Sequence, residues 1–286
     1  MTIRFLFFGD VVGMAAHNTL ISRIPQWRKE WNLDCVVVNA ENTMRGRGLT
    51  PTICQELYAA GVDCITTGNH IWDQREIIPH IEKDDRLLRP VNFSGDVPGR
   101  GHVILATPAG KKIMIVNVML RLFMHDMLDD PFSAMQRLLG SYKLGRDVDS
   151  IIVDVHGEST SEKMAMAHLC DGRASVVVGT HTHIPTADYQ ILERGTAYQT
   201  DAGMCGCYDS VIGFKKDIAV KRFQNKVPKP FNEAYDDGEV TLAGLYVEID
   251  EKTGLASRVE QVISGGKLRQ SLPSADIAKK DETCVA

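Results

Sequence analysis

Cys35-Val36-Val37-Val38-Asn39-Ala40-Glu41-Asn42 is the stretch on which the fold turns. Its β-branched run favours a buried, pleated strand, and the chain leaves that strand at once through a carboxylate and a carboxamide. The same unit recurs on either side. Upstream, Arg4–Phe8 is an apolar strand closed by Gly9-Asp10. Between the two strands, Leu20, Ile24, Trp27 and Trp31 recur at spacings of four, three and four, which is one face of an amphipathic helix. Downstream, Thr50-Pro51 reads as an N-cap and first helical residue of a helix running towards Gly61. Ile65–Thr67 reads as a third strand and Gln74–Lys83 as a third helix. Strand–helix alternation of this kind predicts a largely parallel sheet covered by helices.

Further along, Lys112–Val118 and Ser150–Val155 read as strands around a polar, proline-containing stretch. Ser159 with Glu162 matches a capping box opening a helix to about Asp171. Ala174–Gly179 is another strand, and Val240–Ile249 and Arg258–Ser264 alternate as antiparallel strands do. No repeat, low-complexity tract or linker divides residues 1–272, which read as one domain. The polar, aperiodic stretch 273–286 reads as a frayed tail.

Composition narrows the function classes. Of 286 residues, 44% are hydrophobic and 24% charged, which excludes a disordered chain, a coiled coil and a collagen-like repeat. No apolar stretch approaches the roughly 20 residues that span a bilayer, and Met1–Phe8 reads as a first strand, not as a signal peptide. Seven cysteines without regular spacing point to reduced thiols in a cytoplasm. The net charge of −5 argues against an extended nucleic-acid surface, and nothing in the sequence opposes a homo-oligomer.

The residues that close each strand carry the chemistry. The strands end in Gly9-Asp10, in Glu41-Asn42, in Gly68-Asn69-His70, in His156-Gly157 and in Thr180-His181-Thr182-His183. In a parallel sheet such positions share the carboxyl edge, where open α/β folds bind ligands. Each alone has an ordinary structural use: Asp10 as an N-cap, Glu41 and Asn42 as loop braces, Asn69-His70 as a turn, His156 as a hydrogen-bonded core imidazole. Together they are an oxygen and nitrogen donor set of the kind that binds divalent transition metals.

The same ordered set resembles the calcineurin-like metallophosphoesterases. Longer motifs are similar to one bacterial branch, the YmdB-like 2′,3′-cyclic-nucleotide phosphodiesterases. These are Gly9-Asp10-Val11-Val12-Gly13, Gly68-Asn69-His70-Ile71-Trp72-Asp73, Arg89-Pro90-Val91-Asn92-Phe93, Asp171-Gly172-Arg173-Ala174-Ser175 and Thr200-Asp201-Ala202-Gly203-Met204. The resemblance runs from about Ile3 to about Ile263. It implies a four-layer α/β/β/α sandwich of two packed mixed sheets and a dinuclear metal centre. Asp10, Glu41, Asn42 and His183 would hold one ion; Glu41 as a bridge, with Asn69, His156 and His181, would hold the other. The usual Asp-x-His opening is absent, since Val11 and Val12 follow Asp10, and Asn42 would take the vacant position. Iron, manganese and zinc all suit such ligands.

Two divalent ions about 3.5–4 Å apart can clamp a phosphoryl group and generate a bridging hydroxide. With only two carboxylates among the ligands, such a site would remain cationic towards an anionic ester. The resemblance makes His70 the candidate general acid for the departing ribose oxygen; orienting Asn69 or contacting phosphate are its other uses. Arg173, Phe93, Met204 and Tyr208 are candidate substrate contacts. Cys205-x-Cys207 reads as two free thiols near the site rim, and Asp154 and Glu158 as groups that orient imidazoles. The reading is a dinuclear phosphodiesterase for 2′,3′-cyclic nucleotides or other small phosphodiesters. The alternatives are a phosphomonoesterase or protein phosphatase, and a regulatory metal-binding protein acting through a partner in RNA turnover.

Overall fold

Alternation along the first strand sets the layering. Ile3, Phe5 and Phe7 point into one apolar cluster, while Leu6 and Phe8 point into another, as the period-two geometry of a strand buried on both faces requires. The computed structural model describes residues 2–224 and 234–274; the expected tail therefore lies, from residue 275, outside the described residues.

In chain order the described residues form β1 (Thr2–Phe8), α1 (Met14–Glu30), β2 (Cys35–Asn39), α2 (Pro51–Ala60), β3 (Cys64–Thr66), a 3-10 turn (Arg75–Ile77) and α3 (Ile78–Ile81). β4 (His102–Ala106), β5 (Lys112–Met119), α4 (Pro131–Ser141), β6 (Ser150–His156), α5 (Thr160–Cys170) and β7 (Val176–Thr180) come next. The chain continues through β8 (Gln190–Ile191), β9 (Ala197–Gln199), β10 (Gly206–Cys207), α6 (Lys216–Gln224), β11 (Val240–Asp250) and β12 (Ala256–Ser264).

One sheet has the order β10-β11-β1-β2-β3, with β12 paired to β11. β1, β2 and β3 are parallel, in the register Phe8↔Val38 and Val38↔Ile65, whereas β11 runs antiparallel to β1 and to β12. The other sheet has the order β4-β5-β6-β7-β9-β8. Its centre is parallel, with Val155↔Gly179 and His156↔Thr180 in register, and antiparallel β4 and β8 form its edges. Phe5, Phe7, Val37, Ile115, Ile152 and Val178 fill the space between the sheets. Leu20, Ile24, Trp27, Ile53 and Leu57 of α1 and α2 cover the outer face of the first sheet; Met135, Leu139, Met166 and Cys170 of α4 and α5 cover the second. The layers are thus α/β/β/α. Each fully buried Phe or Leu in them contributes roughly 1.5–3 kcal/mol.

Several local expectations change. A helix over Gln74–Lys83 would need an N–H from Pro79, so the segment breaks into a 3-10 turn and the short α3. Ser159 precedes α5 but makes no capping bond. Glu162 turns instead to the backbone N–H groups of Arg121 and Leu122, at 3.2 and 3.0 Å. The stretch between β5 and β6 contains α4, started by Asp130, whose carboxylate accepts from Ser133 N at 2.6 Å ahead of Pro131. Among the described residues no helix is long and apolar enough to cross a membrane.

Candidate metal centre

The ligand candidates come from both sheets. β1, β2 and β3 end on the same side as β6 and β7, and the two rims are tied together across the sandwich. The buried amide of Asn39, last residue of β2, donates to Asp154 Oδ2 on β6 at 3.1 Å. Above that tie, all seven candidates meet. His156 Nε2 lies 2.9 Å from Asn69 Oδ1, 3.1 Å from Glu41 Oε1 and 3.2 Å from His181 Nδ1. Alongside, Asn42 Nδ2 lies 3.4 Å from Asp10 Oδ1, 3.4 Å from Glu41 Oε1 and 3.2 Å from His183 Nε2. The same carboxylate oxygen, Glu41 Oε1, therefore stands in both groups. Asp10, Glu41 and His156 are fully buried. Gly68 makes the approach possible, because a Cβ there would run into the His156 ring.

Each imidazole is fixed by its other nitrogen. His156 Nδ1 faces Thr180 Oγ1 at 2.9 Å, and the Thr180 hydroxyl itself donates to Asp154 Oδ1 at 2.7 Å. His181 Nε2 pairs with Glu158 Oε2 at 3.3 Å. His183 Nδ1 faces the Ile212 carbonyl at 2.8 Å. Because carboxylates and carbonyls only accept, and Thr180 has spent its proton on Asp154, all three of these nitrogens carry the N–H. Once His156 gives up its second proton, as metal binding requires, its Nε2 and His181 Nδ1 are lone pairs facing one another, an arrangement that a cation between them satisfies. The amide of Asn42 presents its oxygen to the same space on a half-turn about its terminal bond.

Electrostatics agree. Burial alone would lower the His156 pKa, but Glu41, Asp10 and Asp154 outweigh it and raise the group to about 9. Burial likewise acts to raise Glu41, yet His156 and then His70 hold it at about 2. Burial and the neighbouring His156 push His181 down to about 2. A proton on His156 thus compensates the buried carboxylates where a metal ion would. Glu41, His156 and His181 offer donor atoms within 4.8 Å of one another, and neutral imidazoles with carboxylate and carboxamide oxygens suit iron, manganese or zinc.

The loop presenting His181 and His183 is held in an uncommon backbone conformation, with φ of 98° and 66°. Asp201, fully buried, over-determines it. Its Oδ2 accepts from Thr182 N at 3.1 Å, Thr182 Oγ1 at 2.7 Å and Lys163 Nζ at 2.8 Å, and its Oδ1 accepts from Gly203 N at 2.8 Å. Lys163, equally buried, also donates to the Thr180 carbonyl at 2.7 Å. Spacing singles out neither member of this pair, although Asp201 sits in one of the long motifs.

His70 lines a cavity of about 460 Å³ together with Glu41, Asn42, His181 and His183. Its backbone N–H donates to Glu41 Oε2 at 3.0 Å, and its Nδ1 meets Asp73 Oδ2 at 3.0 Å, leaving Nε2 without a partner among the described residues. The candidate substrate contacts fare differently. Arg173 lies in the turn before β7, at the end opposite His181 and roughly 16 Å away at ~3.3 Å per strand residue. The Phe93 ring packs on Trp72 at 5.9 Å, outside the cavity wall. Met204 is core, packed with Val12 and Ala234. The Tyr208 hydroxyl lies 3.1 Å from the His183 and Met204 carbonyls and accepts from Met204 N at 3.0 Å, so it braces the His183 loop. Cys205 and Cys207 are free and buried, and Cys205 lies beside the site, its N–H donating to the Asp10 carbonyl at 2.8 Å. One residue near the centre escapes the sequence reading: Asp126, on the loop after β5, is pushed up by burial and by the charge of Glu41, and also feels His156 and His70. It follows the carboxyl end of β5, but seven residues beyond Met119, where strand-end position no longer singles it out.

A family model described as YmdB-like protein matches residues 6–262. The chain is 39% identical over 261 residues to 2′,3′-cyclic-nucleotide 2′-phosphodiesterase of Bacillus subtilis (strain 168), covering 91% of this chain and 97% of that one. A crystal structure of a hypothetical protein from Thermus thermophilus is similar at a TM-score of 0.84 and 38% identity, over 93% of this chain and 100% of the other. That of a novel phosphatase from Mycoplasma pneumoniae is similar at 0.85 and 33% identity, over 93% and 94%.

Proposed function

The chain belongs to the family of YmdB-like proteins, and on that footing we propose that it hydrolyses phosphoric diesters, 2′,3′-cyclic nucleotides foremost, with two divalent cations. The observation that carries this reading is the double membership of Glu41 Oε1, 3.1 Å from His156 Nε2 in one donor group and 3.4 Å from Asn42 Nδ2 in the other. Asp10, Asn42 and His183 would hold one cation and Asn69, His156 and His181 the other, with Glu41 between them. Iron, manganese and zinc all suit these donors. Bound there, the cations supply Lewis acidity towards phosphoryl oxygens and lower the pKa of water.

The protein's own groups do the rest. Asp10 and Glu41 are the only carboxylates in the donor set, so the loaded site attracts an anionic ester despite the chain's net charge of −5. Thr180, Glu158 and the Ile212 carbonyl hold the imidazoles in one tautomer. His70, oriented by Asp73 through Nδ1, delivers a proton from Nε2 to the departing ribose oxygen. The six described cysteines are free and buried, which suits a reducing cytoplasm.

The test is a hydrolysis panel on metal-stripped protein with iron, manganese or zinc restored. It should contain 2′,3′- and 3′,5′-cyclic nucleotides, a chromogenic diester and a monoester. Turnover of the 2′,3′-cyclic nucleotides is expected once metal is restored. Absence of any diester hydrolysis with all three metals would overturn the proposal, and activity confined to the monoester would make the protein a phosphatase.

A further inference from the structure

One half of the cavity is not accounted for by the donor set. Beyond Asn42 and His183 its wall is aliphatic and aromatic, formed by Val211, Ile212, Phe214 and Phe223, with Arg47 and Arg222 alongside. The two segments that build most of this wall also carry or brace ligands. Residues 43–48 run on directly from Glu41-Asn42, and Gly46, at φ 92°, lets that segment lie against the Phe214 ring, which a Cβ would meet at 2.9 Å. Residues 208–214 hold His183 from two sides, through Tyr208 Oη and the Ile212 carbonyl. Val211 and Phe214 exchange backbone hydrogen bonds of 2.9 and 3.0 Å, so the wall is rigid where it joins the ligands.

The two aromatic rings differ in exposure. Phe214 is 8% exposed and forms a fixed surface, whereas Phe223, on α6, is 79% exposed although it borders the cavity. A large exposed ring beside a polar, anion-attracting centre is what a planar ligand group uses. The polar groups of this half are guanidinium donors, and among the described residues no carboxylate pairs with Arg47. Such a wall complements a flat group that presents acceptors, such as the ring nitrogens and carbonyl oxygen of a nucleobase. A volume of about 460 Å³ fits one small ligand, not a nucleic-acid strand.

We propose that this lobe is a nucleobase subsite: the base of a nucleoside 2′,3′-cyclic phosphate stacks between Phe214 and Phe223, with Arg47 at its edge, while the cyclic phosphate faces the donor set. The proposal rests on the phosphodiesterase reading above. Because the wall binds by ring area, purines are preferred over pyrimidines.

The experiment compares metal-loaded wild type, Phe223→Ala and Arg47→Ala on purine and pyrimidine 2′,3′-cyclic nucleotides and on a base-free diester, methyl p-nitrophenyl phosphate. In Phe223→Ala the ratio of kcat/KM for the purine substrate to that for the base-free diester should fall about tenfold, chiefly through KM, as loss of one base–aromatic stack implies. Arg47→Ala should lower the same ratio. Equal losses on both substrates, or an unchanged ratio in both variants, would overturn the subsite. Calorimetric binding of adenosine 3′-monophosphate reads the lobe without turnover. It should be at least several-fold weaker in Phe223→Ala; equal binding, or none to wild type, would also overturn it. Wild type that binds the nucleotide but cleaves no diester would instead count against the phosphodiesterase reading and leave the subsite supported.

Discussion

Replacing Lys163 by methionine should unfasten the loop that presents His181 and His183. Lys163 and Asp201 are both fully buried, 2.8 Å apart, and Lys163 adds a 2.7 Å bond to the Thr180 carbonyl. Methionine keeps the length of the side chain but leaves the Asp201 carboxylate with only Thr182 and Gly203 as donors. Removing one partner of a buried pair costs roughly 3–5 kcal/mol, which in a chain of this size lowers Tm by about 6–20 °C. Without Lys163 the loop is held less firmly at φ of 98° and 66° at its two histidines, so metal affinity should fall about 10–100-fold as well. Asp201→Asn should behave similarly. The double variant Lys163→Met/Asp201→Asn should cost less than the sum of the two, because neither charge is then left alone. Thermal unfolding of the metal-free proteins, with metal titration alongside, checks all three. Single variants within about 1 kcal/mol of wild type, with undiminished metal affinity, would refute the argument that this pair sets the loop.

Three other substitutions probe separate parts of the site. His70→Ala should lower kcat about 10²–10⁴-fold while metal content, measured by mass spectrometry, stays near that of wild type; loss of metal would make His70 structural. Gly68→Ala places a methyl group in the His156 ring, so the variant should fold yet bind markedly less metal, and normal loading would show that the strand end can shift. Thr180→Val removes the partner of His156 Nδ1 and should weaken metal binding about 10–100-fold, as read by competition with a chelator; unchanged affinity would mean that the tautomer is fixed elsewhere.

Much of the site is legible in the sequence because its donors come directly after strands whose β-branched or apolar runs are easy to read. Cys35–Asn39 leading into Glu41-Asn42, and the strand leading into His181-x-His183, put chemistry at the one place where neighbouring parallel strands must bring it together. The loop after β5 gives no such signal: Leu120–Met127 has no periodicity, and its carboxylate, Asp126, stands several residues beyond the strand. Arg173 is drawn in by its motif although it precedes a strand, which places it at the wrong end of the sheet. Lys163 and Asp201 escape because a buried ion pair between a helix and a loop leaves no trace in spacing; only contact reveals it. The nucleobase lobe is equally hidden. Phe214 lies in a turn and Phe223 near the end of α6, and an aromatic residue at either place carries no sign of whether it serves core or cavity.

Glu41 is proposed to stand between two cations. Anomalous diffraction from crystals of the manganese-loaded protein tests it most directly. Two peaks about 3.5–4 Å apart are expected on either side of the Glu41 carboxylate, one beside Asp10, Asn42 and His183 and the other beside Asn69, His156 and His181. A single peak among Glu41, His156 and His181 at saturating metal, with none beside Asp10 and His183, would contradict it.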